Sequence, residues 1–225
     1  MLVDFHAHIL PKVDHGSDSL EVSRRQLLLA KKYGIDSIVA TSHFYPHSRS
    51  AKSFVERRNA AFRELVPQAE ALGINLMLGA EALLCHSFDK IPYVDDLCIS
   101  GTRIILLELP FADFQIDYCQ SIYNLVSSGY KVVMAHAERY DSSWIAETLE
   151  AGAKLQLNAP SLSLFKVKRV LPWLERGEVI ALGSDIHGAS AKAYRAFSSA
   201  SKKAEKRYPD VVAFSDELRA LAFKK

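Results

Sequence analysis

The sequence contains few cysteines, has no long apolar run and carries nearly balanced charge. Its three cysteines, Cys85, Cys98 and Cys119, are odd in number and lack metal-site spacing, so we expect free thiols in a reducing cytoplasm. No apolar stretch approaches the ~20 residues that span a bilayer, and the first residues lack a signal-peptide pattern, so we expect no membrane insertion. The 28 basic and 26 acidic residues leave a net charge of +2, which gives no electrostatic support for nucleic-acid binding.

Internal repeats, low-complexity tracts and linkers are also absent, so we expect residues 1–225 to form a single domain. Short β-rich apolar runs alternate with helical segments along the chain. Strands are predicted from residue 2 and near 37–41, 75–80, 103–107, 131–135, 154–157 and 179–183. Helices are predicted near 19–33, 52–72, 115–128, 143–151, 161–176, 190–206 and 215–223.

Six of the seven predicted strands run into a histidine or an acidic residue. These residues are His6 and His8, His43, Glu81, Glu108, His136, and Asp185 with His187. A closed parallel α/β barrel gathers the carboxyl ends of all its strands on one face. An open doubly wound sheet, the alternative architecture, would draw its ligands from one switch point. Because the candidates follow most of the strands, the pattern favours a (β/α)7 barrel of the α/β class.

Each candidate has an ordinary explanation when it is taken alone. His6 and His8 lie on the same side of a strand, but such a pair is weak evidence for a metal site. His43 and His136 are compatible with core histidines, and a buried carboxylate such as Glu81 often belongs to an ion pair. The whole set is much stronger evidence than its members, because six strand ends rarely terminate by chance in metal-binding residues.

The donor set indicates the kind of metal. With Asp14, the candidate ligands are His6, His8, Asp14, His43, Glu81, Glu108, His136, Asp185 and His187. Nitrogen and oxygen donors without thiolate suit Mn²⁺, Zn²⁺ or Fe²⁺. Since one ion needs three or four protein ligands, nine candidates imply two or three ions and a bridging carboxylate. Ions ~3.5–4 Å apart favour in-line displacement at phosphorus.

Other residues near the strand ends have less certain roles. Arg139 is placed to grip phosphate oxygens or to cap a helix, and Asp4 to orient a ligand imidazole. Five aromatic residues lie in the loops after these strands, where they either form a rim around an aryl substrate or pack the loops: Phe44, Tyr45, Phe111, Phe114 and Tyr140. His15 and His47 are expected near the mouth of the site.

Together these motifs resemble the PHP (polymerase and histidinol phosphatase) superfamily. The resemblance rests on Asp4-Phe5-His6-Ala7-His8, Val13-Asp14-His15-Gly16, Thr41-Ser42-His43, Gly79-Ala80-Glu81, Leu107-Glu108, Ala135-His136-Ala137-Glu138-Arg139-Tyr140 and Ser184-Asp185-Ile186-His187. Within the superfamily, the chain is most similar to the bacterial manganese-dependent protein tyrosine phosphatases of capsule and exopolysaccharide biosynthesis.

The resemblance implies a distorted (β/α)7 barrel, a PHP fold, with three metal ions, most often Mn²⁺. It distributes the ligands as His6, His8, Glu81 and Asp185 for one ion, Glu81, Glu108 and His136 for a second, and Asp14, His43 and His187 for a third. Arg139 matches the family's phosphate-gripping arginine. Two departures concern His15, where the family usually has Asp, and the second substrate-facing Arg, which is missing behind His187. Lys192 or Arg195 is the candidate replacement.

The implied activity is hydrolysis of protein phosphotyrosine by a metal-bridging hydroxide, with Glu81, His136 and Arg139 as the catalytic set. The implied partner is the tyrosine-rich tail of a bacterial capsule autokinase. Three alternatives remain open: a small-molecule phosphatase of the histidinol-phosphate type, an amidohydrolase, and a non-catalytic metal-binding regulator. An amidohydrolase typically has a modified lysine at strand four, whereas this strand ends in Glu108.

Overall fold

The computed structural model describes residues 2–112, 114–162 and 167–222, in which parallel strands alternate with helices. The strands are β1 (Leu2–His8), β2 (Ile35–Ala40), β3 (His43–Phe44), β4 (Asn75–Leu78), β5 (Glu81–Leu83), β6 (Ile104–Glu108), β7 (Lys131–Met134), β8 (Lys154–Asn158), β9 (Val179–Gly183) and β10 (Ile186–His187). The helices are α1 (Leu20–Lys32), α2 (Ala51–Ala71), α3 (Val94–Leu97), α4 (Asp117–Ser127), α5 (Ser142–Glu150), α6 (Val167–Glu175), α7 (Ala191–Glu205) and α8 (Pro209–Ala222).

Side-chain caps fix the beginnings of the helices that follow the long loops. Ser19, Ser50 and Ser190 accept hydrogen bonds from backbone N–H groups in the first turns of α1, α2 and α7. Asp141 does the same for α5. These caps satisfy N–H groups that have no partner within the helix, and they end the loops that lead from the strands.

The strands form two parallel sheets, with the orders β10-β1-β2-β4 and β3-β5-β6-β7-β8-β9. Every observed strand lies in or beside one of the seven predicted segments. Three segments are interrupted, so that β3 continues β2, β5 continues β4 and β10 continues β9 after two residues. The fold is therefore α/β with parallel sheets, and the interruptions are features that the alternation of strands and helices did not predict.

A buried arginine holds one of these interruptions. Arg58 of α2 is 3% exposed and donates to the backbone oxygens of Gly79, at 3.1 Å, and Asp96, at 2.7 Å. Burial lowers the pKa of Arg58 to about 10. Its guanidinium thus satisfies a carbonyl between β4 and β5 and anchors the loop that leads to Glu81.

The inner core lies below the ligand positions of β1. Val3 and Phe5 belong to an apolar cluster that α8 closes with Phe214 and Leu218, and the rings of Phe5 and Phe214 are 5.6 Å apart. Burying a side chain such as Phe5 contributes about 1.5–3 kcal/mol. The larger cluster lies between the strands and the surrounding helices. The polar residues at the carboxyl ends of the strands therefore stand on a rigid apolar base.

Some predicted helices differ in extent from the observed ones. The helix predicted over 161–176 overlaps a 3-10 turn at Ala159–Leu162 and α6 at Val167–Glu175, and residues 163–166 lie outside the described ranges. The helix predicted over 215–223 begins at Pro209, which suits a first helical turn because it needs no donor there; residue 223 lies outside the described ranges. Within the described ranges, no helix combines the length and the apolar character needed to cross a bilayer.

Candidate metal centre

The pairing of the strands brings predicted ligands side by side. His8 of β1 and His187 of β10 are directly opposite in the parallel register, and so are His43 of β3 and Glu81 of β5. The rings of His8 and His187 stack with centroids 3.9 Å apart. Residues that are 179 positions apart in the sequence thus meet because neighbouring strands end together.

His6 and His8 turn their rings toward each other at the end of β1. Their Nε2 atoms are 3.1 Å apart, and Glu81 Oε2 is 3.2 Å from each of them. Asp185 Oδ1 lies 3.7 Å from His6 Nε2 and 3.4 Å from His8 Nε2. Two imidazoles and two carboxylates, all with buried side chains, therefore converge on one space.

Hydrogen bonds on the far side of each ring direct Nε2 into this space. The backbone N–H of His136 donates to Gln156 Oε1 at 2.8 Å, which fixes the orientation of the amide. His6 Nδ1 lies 3.0 Å from the same oxygen and therefore donates to it. His8 Nδ1 lies 2.8 Å from Asp14 Oδ2 and donates to that carboxylate. An imidazole held by Nδ1 in this way presents Nε2 as a metal ligand.

Glu81 is the centre of the cluster. Its Oε1 lies 2.7 Å from His136 Nε2, and its Oε2 lies 2.8 Å from His43 Nδ1. Glu108 completes this side, 3.5 Å from His136 Nε2 and 3.8 Å from His43 Nδ1. Both oxygens of Glu81 thus lie close to histidine nitrogens, which makes this carboxylate the common neighbour of the clustered side chains.

The buried polar atoms of this cluster fit a divalent cation. His43 Nδ1 and Glu81 Oε2 are close without forming a hydrogen bond, and within the described ranges neither atom has another hydrogen-bond partner. An unsatisfied buried polar atom costs about 1–3 kcal/mol. Convergent nitrogen and carboxylate lone pairs lose this cost when they coordinate a cation.

Three overlapping groups have ligand atoms within 4.8 Å of one another: His6, His8 and Glu81; His43, Glu81 and Glu108; and His8, His43 and His187. The other three predicted ligands border these groups. Asp185 and His136 face Glu81 and its neighbours, whereas Asp14 accepts hydrogen bonds from His8 Nδ1 and from the backbone N–H groups of Gly16 and His43. All nine predicted ligands therefore lie in one cluster, with Asp14 on its outer side.

The surrounding carboxylates favour protons on the histidines of the metal-free chain. Burial disfavours the charged form of His8, but its hydrogen bond with Asp14 and the nearby carboxylates of Asp185 and Glu81 outweigh burial and raise the pKa of His8 well above the usual value. Burial opposes the charge of His136 in the same way, yet hydrogen bonds with Glu108 and Glu81 raise its pKa to about 9. His187 differs, because burial and the charge of His8 lower its pKa to about 4. A cation would displace the protons on His8 and His136.

Backbone strain occurs at two of the ligand positions. His136 and Asp185 have φ values of 33° and 51°, in the left-handed region that a side chain rarely adopts. This conformation costs roughly 1–2 kcal/mol per residue. The left-handed backbone follows the ends of β7 and β9 and turns the side chains of His136 and Asp185 into the cluster. The strain lowers the stability of the fold but places both side chains at the candidate site.

Asp4 and Arg139 connect the cluster to its surroundings. Asp4 Oδ1 accepts hydrogen bonds from the backbone N–H of Ser184, at 2.8 Å, and of His6, at 3.3 Å. Burial raises the pKa of Asp4 to about 6. Arg139 donates to Asp185 Oδ2, which holds its guanidinium at the edge of the cluster. Asp4 therefore fixes β1 against the loop that carries Asp185.

The structure places the aromatic residues of the predicted rim in different environments. Phe44 is buried against Phe54, and Phe114 stacks on Trp144, so both serve packing. Tyr45 lies beside His43 with ring centroids 5.2 Å apart, which leaves it near the site. Phe111 is exposed, and its ring lies 6.0 Å from that of the buried Tyr140.

His15 lies where the sequence placed it, and Gln156 has a role that the sequence did not reveal. His15 is exposed, and its ring stacks on His187 at 4.5 Å and on His43 at 5.0 Å, so it adds an imidazole at the mouth. Gln156 bonds to both His6 and the backbone of His136. The only available signal for Gln156 was a polar side chain inside the apolar run of β8.

The family model described as "Capsular polysaccharide synthesis, CpsB/CapC" matches residues 2–218 of this chain. The chain is 26% identical over 211 residues to the tyrosine-protein phosphatase CpsB of Streptococcus pneumoniae, with 85% of each protein covered. It is 28% identical over 211 residues to the tyrosine-protein phosphatase YwqE of Bacillus subtilis, covering 85% of this chain and 79% of YwqE. It is 30% identical over 169 residues to a putative tyrosine-protein phosphatase, CapC, of Staphylococcus aureus, covering 72% of this chain and 66% of CapC.

Solved structures show the same fold. A structure from the work on YwqE of Bacillus subtilis and CpsB of Streptococcus pneumoniae, described as unique metal-dependent tyrosine phosphatases, matches with a TM-score of 0.79 at 22% identity, over 100% of this chain and 95% of that one. A TatD-like protein of Archaeoglobus fulgidus matches with a TM-score of 0.53 at 15% identity, over 94% of this chain and 95% of that one. At these identities the likeness concerns the fold.

Proposed function

We propose that this chain, which belongs to the CpsB/CapC family of capsular polysaccharide synthesis, is a metal-dependent protein-tyrosine phosphatase. The observation that carries the proposal is the convergence of the His6–His8 pair, Glu81 and Asp185 on one space, with Arg139 at its edge. A cation-binding cluster with an adjoining guanidinium suits a substrate that carries a phosphate group.

The nine clustered side chains would hold the metal, with Glu81 at the centre of the proposed site. Two or three ions are proposed, most often Mn²⁺, with Fe²⁺ or Zn²⁺ as alternatives, since the donors are imidazole and carboxylate. Ions bound in such a cluster supply an activated water and neutralise charge on the phosphoryl oxygens. Glu81 and His136 serve this chemistry by holding that side of the cluster rigid.

Arg139 is proposed to bind the phosphate. Its planar fork matches two phosphoryl oxygens, and Asp185 holds the guanidinium beside the cluster until substrate arrives. The phenol of tyrosine has a pKa of ~10, so its phenolate leaves without much help from a general acid. A site of this kind therefore needs no dedicated acid at the leaving group, and an activated water takes the place of a cysteine nucleophile.

The names of the relatives support phosphotyrosine as the substrate, and the family description supports a role in capsule synthesis. We propose the tail of a tyrosine autokinase of that process as the physiological partner. A small-molecule phosphatase is the alternative. An amidohydrolase is less well supported, because β6 ends in Glu108 where that class typically has a modified lysine.

We also propose that residues 1–225 form one domain built on a distorted (β/α)7 barrel. The support is the cyclic order of the strand pairs. β1 pairs with β2, the pairing continues through β4 and its continuation β5 to β9, and β10, which continues β9, pairs with β1.

Chelation followed by reconstitution tests the proposed function. Metal-free protein should be inactive, and Mn²⁺ should restore hydrolysis of a phosphotyrosine peptide but not of histidinol phosphate or an amide substrate. Arg139→Ala should keep the bound metal and lose most turnover, with Arg139→Lys intermediate, because lysine supplies charge without the fork. His136→Ala should lose both metal and turnover. Full activity in metal-free protein or in His136→Ala contradicts the proposal.

A further inference from the structure

A cavity of about 690 Å³ opens beside the metal centre. Its lining includes Asp185 of the cluster together with Arg139, Asn158 and Ser184. Cavities of roughly 300–1,000 Å³ accommodate a drug-sized molecule. This one therefore holds more of a substrate than its phosphate group.

The lining of the cavity also carries positive charge from α6. Lys168 and Arg169 both line it, in addition to Arg139. Arg169 donates to the backbone oxygen of Tyr140, which ties α6 to the loop after β7. Lys168 is exposed, and within the described ranges no carboxylate lies within ion-pair distance of its ammonium group.

The carboxylates of the cavity are already engaged. Asp185 accepts from Arg139 and from the side-chain amide of Asn158, at 3.1 Å for the amide. Glu138 accepts from the backbone N–H of Asn158 at 3.2 Å, and burial raises its pKa. The charge of Lys168 is therefore available to a ligand.

The residues suggested as a second phosphate contact do not line this cavity. The guanidinium of Arg195 lies 6.0 Å from the centre of the Tyr33 ring, so α7 directs it toward the end of α1. Lys192 is exposed in the first turn of α7 and is also absent from the lining. Thus the cationic side chains that line the cavity in addition to Arg139 come from α6.

We infer that Lys168, supported by Arg169, forms a subsite for an anionic group that adjoins the phosphotyrosine on the same polypeptide. That group is either an acidic side chain or a second phosphate. The subsite makes the enzyme prefer acidic phosphotyrosine segments. This inference rests on the proposed phosphatase function and assigns part of its specificity.

Three peptides of equal length test the preference: one with neutral residues beside the phosphotyrosine, one with Asp and Glu there, and one with a second phosphotyrosine. The Mn²⁺-loaded wild-type protein should use both anionic peptides about 1.5- to fivefold better in kcat/KM, from contacts of the strength of exposed ion pairs. The difference should lie in KM, since the subsite does not touch the reacting phosphorus. It should also shrink at high salt.

Lys168→Glu should remove the preference and leave turnover of a small aryl phosphate unchanged, while Lys168→Arg should keep the preference. Lys203→Glu, which makes the same charge change on the exposed face of α7, is the matched control. Fluorescence anisotropy with a non-hydrolysable phosphonate form of the acidic peptide gives a second readout. Its Kd should rise about two- to tenfold in Lys168→Glu and stay unchanged in Lys203→Glu.

Equal use of the neutral and anionic peptides overturns the inference, as does equal loss in the two charge-reversal variants. A preference for only one of the anionic peptides identifies the group as carboxylate or phosphate. Failure of the wild-type protein to hydrolyse any phosphotyrosine peptide is a different result. It removes the proposed phosphatase function, and the subsite inference with it.

Discussion

The glycine at the end of β9 should be essential for the metal centre, because no side chain fits there. A Cβ atom on Gly183 would lie 2.4 Å from the Cβ of His6 and 2.7 Å from Nε2 of Gln156. Carbon atoms in contact prefer about 3.5–4.0 Å. Gly183→Ala therefore requires a displacement of roughly 1 Å.

The surrounding bonds limit where that displacement can occur. The backbone oxygen of His6 accepts from Ser184 at 3.1 Å and from Asp185 at 2.7 Å, so moving β1 breaks the contact with the next loop. Overpacking of this kind costs about 1–3 kcal/mol in unfolding free energy. Misalignment of His6 should also weaken metal binding, by roughly 10–100-fold, as loss of an orienting partner does.

The measurements are urea unfolding of the metal-free protein, metal content after dialysis and turnover of an aryl phosphate. Gly101→Ala is the matched control, because Gly101 has a φ of +79° but open space around the position of its Cβ. It should lose roughly 1–2 kcal/mol from backbone strain alone and keep its metal. Gly16→Ala, whose Cβ would lie 2.1 Å from the Cβ of His8, should behave like Gly183→Ala.

Wild-type metal affinity in Gly183→Ala would refute this reasoning, since it would show that His6 does not need its present position. If Gly183→Ala lost only as much stability as Gly101→Ala and kept its metal, the side chains of His6 and Gln156 would be able to move aside without affecting metal binding.

Three further predictions follow from the hydrogen bonds and pKa values of the cluster. Binding of Mn²⁺ at pH 7 should release protons and become tighter as the pH rises toward 9, because the pKa of His136 is about 9 and the pKa of His8 is also raised. Calorimetry in buffers of different ionisation enthalpy measures the number of protons released, and binding without proton release would contradict the prediction. The pKa of Asp4 is raised from 3.8 to about 6 by folding, so the stabilising effect of Asp4 is present below pH 3.8 and is lost as the pH rises through 6. Between pH 3.5 and 8, the unfolding free energy of metal-free Asp4→Asn should therefore rise by about 3 kcal/mol relative to that of the wild type, as measured by urea unfolding. A difference between the two proteins that does not change with pH would contradict this. Gln156→Leu should lower metal affinity roughly 10–100-fold with little change in secondary structure, measured by metal titration and circular dichroism, and unchanged affinity would remove its orienting role.

The clustering of the candidate ligands could be predicted because it depends on one simple property of parallel strands. Carboxyl ends of such strands meet at one face, so a histidine or an acid after each apolar run is enough to forecast a cluster. His43 and Glu81 illustrate this, since their strands pair in direct register. The alternation of side chains along β1 likewise predicted that His6 and His8 would point the same way.

The supporting contacts could not be predicted, because each depends on a residue with several ordinary roles. Arg58 reads as a solvated residue of an amphipathic helix, yet it is buried and bonded to the carbonyl of Gly79. Lys168 resembles any surface lysine until the cavity beside Asp185 is seen. The direction of Arg195 toward Tyr33 likewise depends on the packing of α7 against α1.

The interruptions of the strands explain how so many ligands share one small space. A regular strand places only alternate residues on the inner face, and each strand end then supplies one or two ligands at fixed spacing. Here two residues separate each of β3, β5 and β10 from the strand that it continues. His43 begins β3, Glu81 begins β5 and His187 ends β10. Each interruption lets the chain turn before the ligand, and at Asp185 the left-handed backbone makes that turn itself. The interrupted strands therefore accompany candidate ligands from neighbouring strands whose donor atoms lie within 4.8 Å of one another. For this reason a substitution such as Gly183→Ala, which changes no ligand, is expected to affect metal binding as strongly as the loss of an orienting residue.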